Sequence, residues 1–162
     1  MRGLKDKVII LTGAAGGLGQ AIATRLIQEQ AYPVLVDHNQ NALLKLTENQ
    51  VFNDLLCLNG NITDPDFITT IMSDVIKKYG KIDGLVNSAA ILLPDDADIS
   101  QTPLTCWLKT METNLTAVFL TCQAVLPHLE KQGGAIVNLS SVVAHAASAT
   151  SQIAYTTAKG GV

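Results

Sequence analysis

Short apolar runs alternate along the chain with longer stretches whose apolar residues recur every three or four positions. Residues 7–12 and 33–37 are continuous runs rich in valine, isoleucine and leucine, which reads as two buried strands, the second closing on an acid. Between them Leu18, Ile22, Leu26 and Ile27 fall on one helical face. Leu43, Leu44, Leu46 and Val51 predict a second helix, and residues 55–58 a third strand. Thr63-Asp64-Pro65-Asp66 combines capping oxygens with a proline suited to a first helical turn. The helix it opens is lined by Phe67, Ile68, Ile71, Met72, Val75 and Ile76, and Gly80 ends it. Residues 82–87 read as a fourth strand and 102–131 as mostly helical. Gly133-Gly134 breaks that helix, 135–139 form a fifth strand, and a last helix opens near Ala154. Continuous apolar strands separated by helices are the pattern of a parallel sheet covered on both faces. The expected fold is a doubly wound α/β layer of the Rossmann type. An α/β barrel shares the alternation but needs eight units, and about five are present here.

Composition narrows the classes. A chain of 162 residues with 48% hydrophobic and 15% charged residues is not disordered. Eleven Lys and Arg against 14 Asp and Glu leave a net charge of −3, which supplies no attraction to nucleic acid or an anionic membrane. Cys57, Cys106 and Cys122 are odd in number and lack a C-x-x-C spacing, and His38, His128 and His145 are scattered. Neither a disulfide framework nor a metal site is expected. No run approaches the roughly 20 apolar residues of a membrane span. The run at 8–11 is too short for a signal-peptide core. The expected location is the cytoplasm.

The candidate chemistry begins at Thr12-Gly13-Ala14-Ala15-Gly16-Gly17-Leu18-Gly19, between the first strand and the first helix. Glycines there allow a tight turn, a close backbone approach to phosphate and close helix–strand packing. The helix start adds free N–H groups and the positive end of a dipole. Gln20 and Ala21 stand where a nucleoside-triphosphate site needs Lys and Ser or Thr. Asp37 closes the second strand 18 residues beyond Gly19. An acid at that place accepts from both adenosine ribose hydroxyls and repels a 2′-phosphate, which favours NAD over NADP. Tyr155 and Lys159, four residues apart, share one helical face. An ammonium beside a phenol favours the phenolate and suits it to proton transfer with an alcohol oxygen. Ser140 and Ser141 end the fifth strand, on the side where open α/β sheets bind ligands. No G-x-S-x-G elbow is present, which excludes the common hydrolase arrangement.

Thr12-Gly13-x-x-x-Gly17-x-Gly19, Asp37, Asn87-Ser88-Ala89-Ala90, Asn114, Ser141 and Tyr155-x-x-x-Lys159 stand in the order of the short-chain dehydrogenase/reductase family, which the chain resembles over its whole length. The resemblance implies a nicotinamide-dependent oxidoreductase acting on a secondary alcohol or ketone, with Tyr155 as general acid/base. Lys159 would lower the tyrosine pKa and bond the nicotinamide ribose. Ser141 would hold the substrate oxygen, and Asn114 would sit in a helix irregularity supporting a water that links to Lys159. Gly13, Ala15, Gly17, Leu18, Gly19, Asp37, Asn61, Ile62, Asn87 and Ala89 would contact the cofactor, Asn61 and Ile62 at the adenine edge. Three departures stand out. Ala90 replaces a glycine and Asn61 replaces an acid. The serine-to-tyrosine interval of 14 residues is one longer than expected, so Ser140 remains an alternative serine. The rival reading is a non-catalytic dinucleotide-binding module on the same fold. Pro127-His128 reads as a kink or turn, and Asp95, Asp96 and Asp98 as a solvated acidic loop. Segments 92–102 and 142–153 are expected to border the substrate. Trp107, Met111, Leu115, Val118, Phe119, Cys122 and Leu126 read as core or subunit contact, and the resemblance implies a homo-oligomer. Family members run to about 250 residues as one domain. Residues 1–162 are therefore expected to be a single NAD-binding domain, incomplete at its C-terminal end, with the fifth strand left as an exposed apolar edge.

Overall fold

The strand-forming runs meet in one parallel sheet in the computed structural model, which describes residues 3–48, 50–52, 54–146 and 150–162. The strands are β1 (Val8–Thr12), β2 (Tyr32–Asp37), β3 (Cys57–Asn59), β4 (Gly84–Asn87) and β5 (Ala135–Asn138). They lie in the order β3-β2-β1-β4-β5, and every neighbouring pair is parallel. The helices are α1 (Gly17–Gln28), α2 (Gln40–Thr47), α3 (Pro65–Tyr79), α4 (Leu104–Met111), α5 (Ala117–Gln132) and α6 (Ile153–Gly161). This is the Rossmann-like α/β fold that the alternation predicts.

Strand periodicity sorts the core into two layers. Val8 and Ile10 of β1 join Val34, Val36 and Leu85 against Ile68, Ile71 and Val75 of α3 and Val125 and Leu129 of α5. Ile9 and Leu11 point the other way, toward Ala23 and Leu26 of α1 and Leu43 and Leu46 of α2. Every residue of β1 is therefore buried, as its unbroken apolar sequence requires. β3 and β5 are the two edges of the sheet, and Val137 of β5 is exposed.

The register aligns the polar strand ends. Thr12 lies beside Asn87, Asn87 beside Asn138, and Asp37 beside Asn59. Each strand thus places a hydrogen-bonding side chain on the same rim. Chain order reverses between β1 and β4, so the connections leave this rim in opposite directions and open a crevice between them.

Asp64 caps α3 by accepting from Asp66 N at 3.0 Å, Pro65 occupies the first turn, and Gly80 ends the helix at φ +73°. β3 is shorter than its apolar run, because the amide of Leu55 turns back to the Phe52 carbonyl. One local reading, the turn at Pro127-His128, is corrected. Pro127 lies inside α5, which continues to Gln132. The bond Pro127 cannot donate would have gone to the carbonyl of Gln123, an exposed residue whose carbonyl water can satisfy. The helical stretch after β4 carries the irregularity expected at Asn114: a π-helical turn over Glu112–Thr116 separates α4 from α5.

The glycines of the first turn are not equivalent. A β-carbon on Gly19 would meet the Gly13 carbonyl oxygen and lie 2.7 Å from the Ala14 Cα, both backbone atoms. One on Gly17 would meet nothing within 4 Å. Gly19→Ala should cost about 1–3 kcal/mol of stability through forced backbone shifts. Gly17→Ala should stay within about 1 kcal/mol of wild type, on the stabilising side. Urea midpoints compare the two, and equal losses would contradict the close packing of α1 on β1.

Candidate functional site

A cleft of about 650 Å³ lies outside the carboxyl ends of β1, β2 and β4. Of the residues expected there from sequence, Gly13, Ala15, Gly17, Leu18, Gly19, Asp37, Asn61, Ile62 and Ala89 all line it. Gly13 has φ +68°, and a β-carbon on it would sit 2.6 Å from the Ala89 Cα. Only glycine permits that conformation and that approach together. Gly16 stands at the N-cap of α1 and offers no side chain to cap it. The first amides of the helix are therefore left to whatever occupies the cleft, and the dipole there favours an anion.

Asp37 is only 8% exposed. Its Oδ2 accepts from Ala15 N at 3.0 Å and its Oδ1 from Asn39 N at 2.9 Å. The carboxylate thus holds the glycine turn and the start of the next loop while forming part of the cleft wall. Asn61 turns its Oδ1 to Thr63 N at 3.1 Å, which fixes the loop at the far end of the cleft. Lys109 and Thr113 also line the cleft and were not singled out from sequence. Lys109 pairs with Glu112 at 3.0 Å. The available signal was their place five residues and one residue before Asn114.

Asn87 is placed differently from its expectation. It is 3% exposed and absent from the cleft lining. Its Nδ2 donates to Asn138 Oδ1 at 2.9 Å, and its Oδ1 lies 2.9 Å from the Thr121 hydroxyl. Thr12 Oγ1 accepts from Ala89 N at 3.3 Å and sits 3.5 Å from Asn87 Oδ1. Asn87 therefore supports the cleft wall from beneath, and Ser88, Ala89 and Ala90 form its surface.

A second cluster lies on α6. Tyr155 and Lys159 share a face, with Lys159 Nζ 5.9 Å from the tyrosine ring centroid. Lys159 is buried at 4% exposure, its Nζ donates to the Leu139 carbonyl at 2.6 Å, and burial pushes its pKa below the ordinary lysine value. The two serines have different partners. Ser140 spends its hydroxyl proton on the Lys159 carbonyl at 2.7 Å. Ser141 accepts from Val143 N at 3.4 Å, capping the 3₁₀ turn Val142–Ala144, and that bond leaves its proton free to donate. Tyr155, Lys159 and Ser141 do not line the 650 Å³ cleft. Residues 147–149 of the segment expected to border the substrate lie outside the described residues.

Asn114 occupies the π-helical turn, which is the irregularity expected for it, and is fully buried. Its Oδ1 accepts from Ile91 N and its Nδ2 donates to Ile91 O, each at 2.8 Å. Ile91 thus engages one N–H and one oxygen lone pair of the amide, whose second N–H is not used by these bonds.

The acidic loop is the clearest correction. Asp96 is 7% exposed. Its Oδ1 accepts from Ala154 N at 3.0 Å and its Oδ2 from Tyr155 N at 2.8 Å. Gln152, at the local N-cap of α6, makes no capping bond. The lack of Ser, Thr, Asp or Asn at that place was the available signal. It says that a cap must come from elsewhere but not from where.

The buried Lys159 ammonium yields a pH prediction. A lysine whose folded pKa is depressed destabilises the fold while charged. That cost is fully present below the folded pKa and fades as pH rises through it toward the ordinary 10.5. The stability gap between wild type and Lys159→Met should therefore shift in favour of wild type with rising pH across that window. Chemical denaturation at stepped pH measures the gap. A gap independent of pH would contradict the burial of the ammonium.

A family model described as short chain dehydrogenase matches residues 7–162. The chain is 35% identical to the 2-(R)-hydroxypropyl-CoM dehydrogenase of Xanthobacter autotrophicus, over 97% of its own length and 64% of that relative. It is 36% identical to the NAD-dependent glycerol dehydrogenase of Listeria innocua, over 85% of its length and 54% of that protein. The solved structure of an NAD⁺-bound xylitol dehydrogenase superposes with a TM-score of 0.91 at 29% identity, covering 99% of this chain and 62% of that one. The chain spans less than two thirds of each of these relatives. With the family match running from residue 7 to residue 162, through the glycine turn and the Tyr155–Lys159 pair, the chain belongs to the short-chain dehydrogenase family.

Proposed function

We propose that this protein is an NAD(H)-dependent oxidoreductase interconverting a secondary alcohol and a ketone, and that residues 1–162 are its dinucleotide-binding domain. The observation that carries the reading is the buried Lys159 ammonium 5.9 Å from the Tyr155 ring, on a helix packed against α4, whose Lys109 lines the glycine-walled cleft. The printed names of the glycerol and xylitol dehydrogenases, one NAD-dependent and one NAD⁺-bound, agree with it.

The cleft suits a dinucleotide. The uncapped start of α1 takes the pyrophosphate, because its N–H groups and dipole meet an anion there with no side chain in the way. Asp37 accepts from the adenosine ribose hydroxyls, and its charge opposes a 2′-phosphate. Asn61 and Ile62 border the adenine. A bound nicotinamide supplies a hydride acceptor or donor at the substrate carbon. The chain's own part is the proton. Tyr155 exchanges it with the substrate oxygen, Lys159 favours the phenolate through its charge, and Ser141 donates a hydrogen bond to the same oxygen.

Exposed Leu104, Leu108, Phe119 and Leu126 on α4 and α5 support pairing with a second copy. Among the described residues, no helix is long and apolar enough to cross a membrane.

Tyr155→Phe should lower kcat by roughly 10²–10⁴ while NADH still binds, as expected for loss of a general acid/base. Steady-state turnover paired with NADH fluorescence titration tests this, and undiminished turnover would sink the assignment. Asp37→Ala should improve NADP affinity relative to NAD by about ten-fold or more, since a like-charge contact is removed. Parallel titrations with both cofactors decide it, and an unchanged ratio refutes the role of Asp37.

A further inference from the structure

We propose that Asp96 is a positioning residue: its carboxylate, reaching from the loop after β4, seats α6 and so holds Tyr155 and Lys159 in place beside the cleft. The proposal rests on the reading of those two residues as the proton-transfer pair.

Three observations carry it. The first is the bond pattern. The two carboxylate oxygens take the amides of two successive residues, Ala154 and Tyr155, at 3.0 and 2.8 Å. Successive amides leave a helix start in different directions, so a bidentate partner fixes its rotation as well as its position along the axis. A single local oxygen fixes less. The second is the distance in sequence. The cap comes from 58 residues away while Gln152 contributes none, so the bond ties two elements together instead of closing one turn. Ala97 O adds to it by accepting from Ile153 N at 3.0 Å.

The third is the rigidity of the loop that presents Asp96. Asp96 N donates to Leu93 O at 3.1 Å, and Ala97 N donates to Thr102 Oγ1 at 2.9 Å. Five residues before Asp96, both backbone groups of Ile91 are held by the buried Asn114. Ala89, Ala90 and Ile91 belong to the cleft wall. The wall and the seat of α6 are thus one short segment, clamped twice. The Tyr155 hydroxyl stands well off the helix axis, so a rotation of several degrees displaces it by about 1 Å. Misplacement on that scale costs about a hundred-fold in rate.

The test uses the full chain with Asp96→Ala and Asp96→Asn, the second keeping one acceptor. Hydrogen exchange at the Ala154 and Tyr155 amides should accelerate about ten-fold in Asp96→Ala, the loss expected for a helix cap, and less in Asp96→Asn. Amides of α1 should be unaffected. NADH affinity, read by fluorescence, should fall about ten-fold in Asp96→Ala, while affinity for ADP, which lacks the nicotinamide half, should not change. Adding Gln152→Asp to Asp96→Ala supplies a local cap without the tie to the β4 loop. Restored amide protection with NADH affinity still low supports positioning, and recovery of both overturns it in favour of simple capping. Unchanged exchange at the two amides, or equal losses of NADH and ADP affinity, also overturns it. A wild-type chain that binds neither probe sinks the dinucleotide reading, and the exchange measurements then decide the Asp96 clamp alone.

Discussion

The backbones leaving β1 and β4 pass so close at Gly13 and Ala89 that no β-carbon fits between them. Everything around the site depends on that approach. It sets the glycine turn against the segment that follows β4 and makes the two into adjoining walls of one cleft. The same segment then runs to Ile91, gripped by Asn114, and to Asp96, which grips α6. A chain of short contacts therefore leads from the start of α1 to the tyrosine–lysine helix. Neither end of that chain is adjustable, because each contact is backbone against backbone or a buried side chain holding backbone.

The buried polar groups form the second level of organisation. Asn87, Asn114, Asp96 and Lys159 are all buried, and each has a named partner. Burying such groups is tolerable only when they are hydrogen-bonded, so each constrains its neighbours strongly. Lys159 is the exception in kind. Its partner is the neutral Leu139 carbonyl, and among the described residues no carboxylate pairs with its ammonium. Burial depresses its pKa, and its Nζ stands 5.9 Å from the centre of the Tyr155 ring.

Much of this was legible in the amino-acid order. The strand runs, the start of α3 at Asp64 and its end at Gly80 follow from side-chain chemistry acting within a few residues. The glycine turn, Asp37, Asn61, Ile62 and Ala89 were also readable, and the structure gathers them around one cleft. Local rules misjudged other positions. Pro127-His128 looked like a kink or turn because the rule for proline ignores whether the bond it forfeits faces water. Asp96 looked solvated because three acids in a short stretch ordinarily are. The side chain of Asn87 is turned inward by strand alternation, while Ser88, Ala89 and Ala90 after it line the cleft.

By itself, the sequence determined which segments are strands and helices, where the tight turns fall, and which residue types stand at the carboxyl ends of the strands. Those properties depend on periodicity and backbone sterics, which act along the chain. The tertiary structure alone decided which end-of-strand residues face the cleft, which of two adjacent serines has its hydroxyl already engaged as a donor, and which acid caps α6. Those outcomes are set by partners tens of residues away. A carboxylate in a loop or a hydroxyl at a strand end is the same group in either role, and only the hydrogen-bond donor that arrives beside it settles the matter.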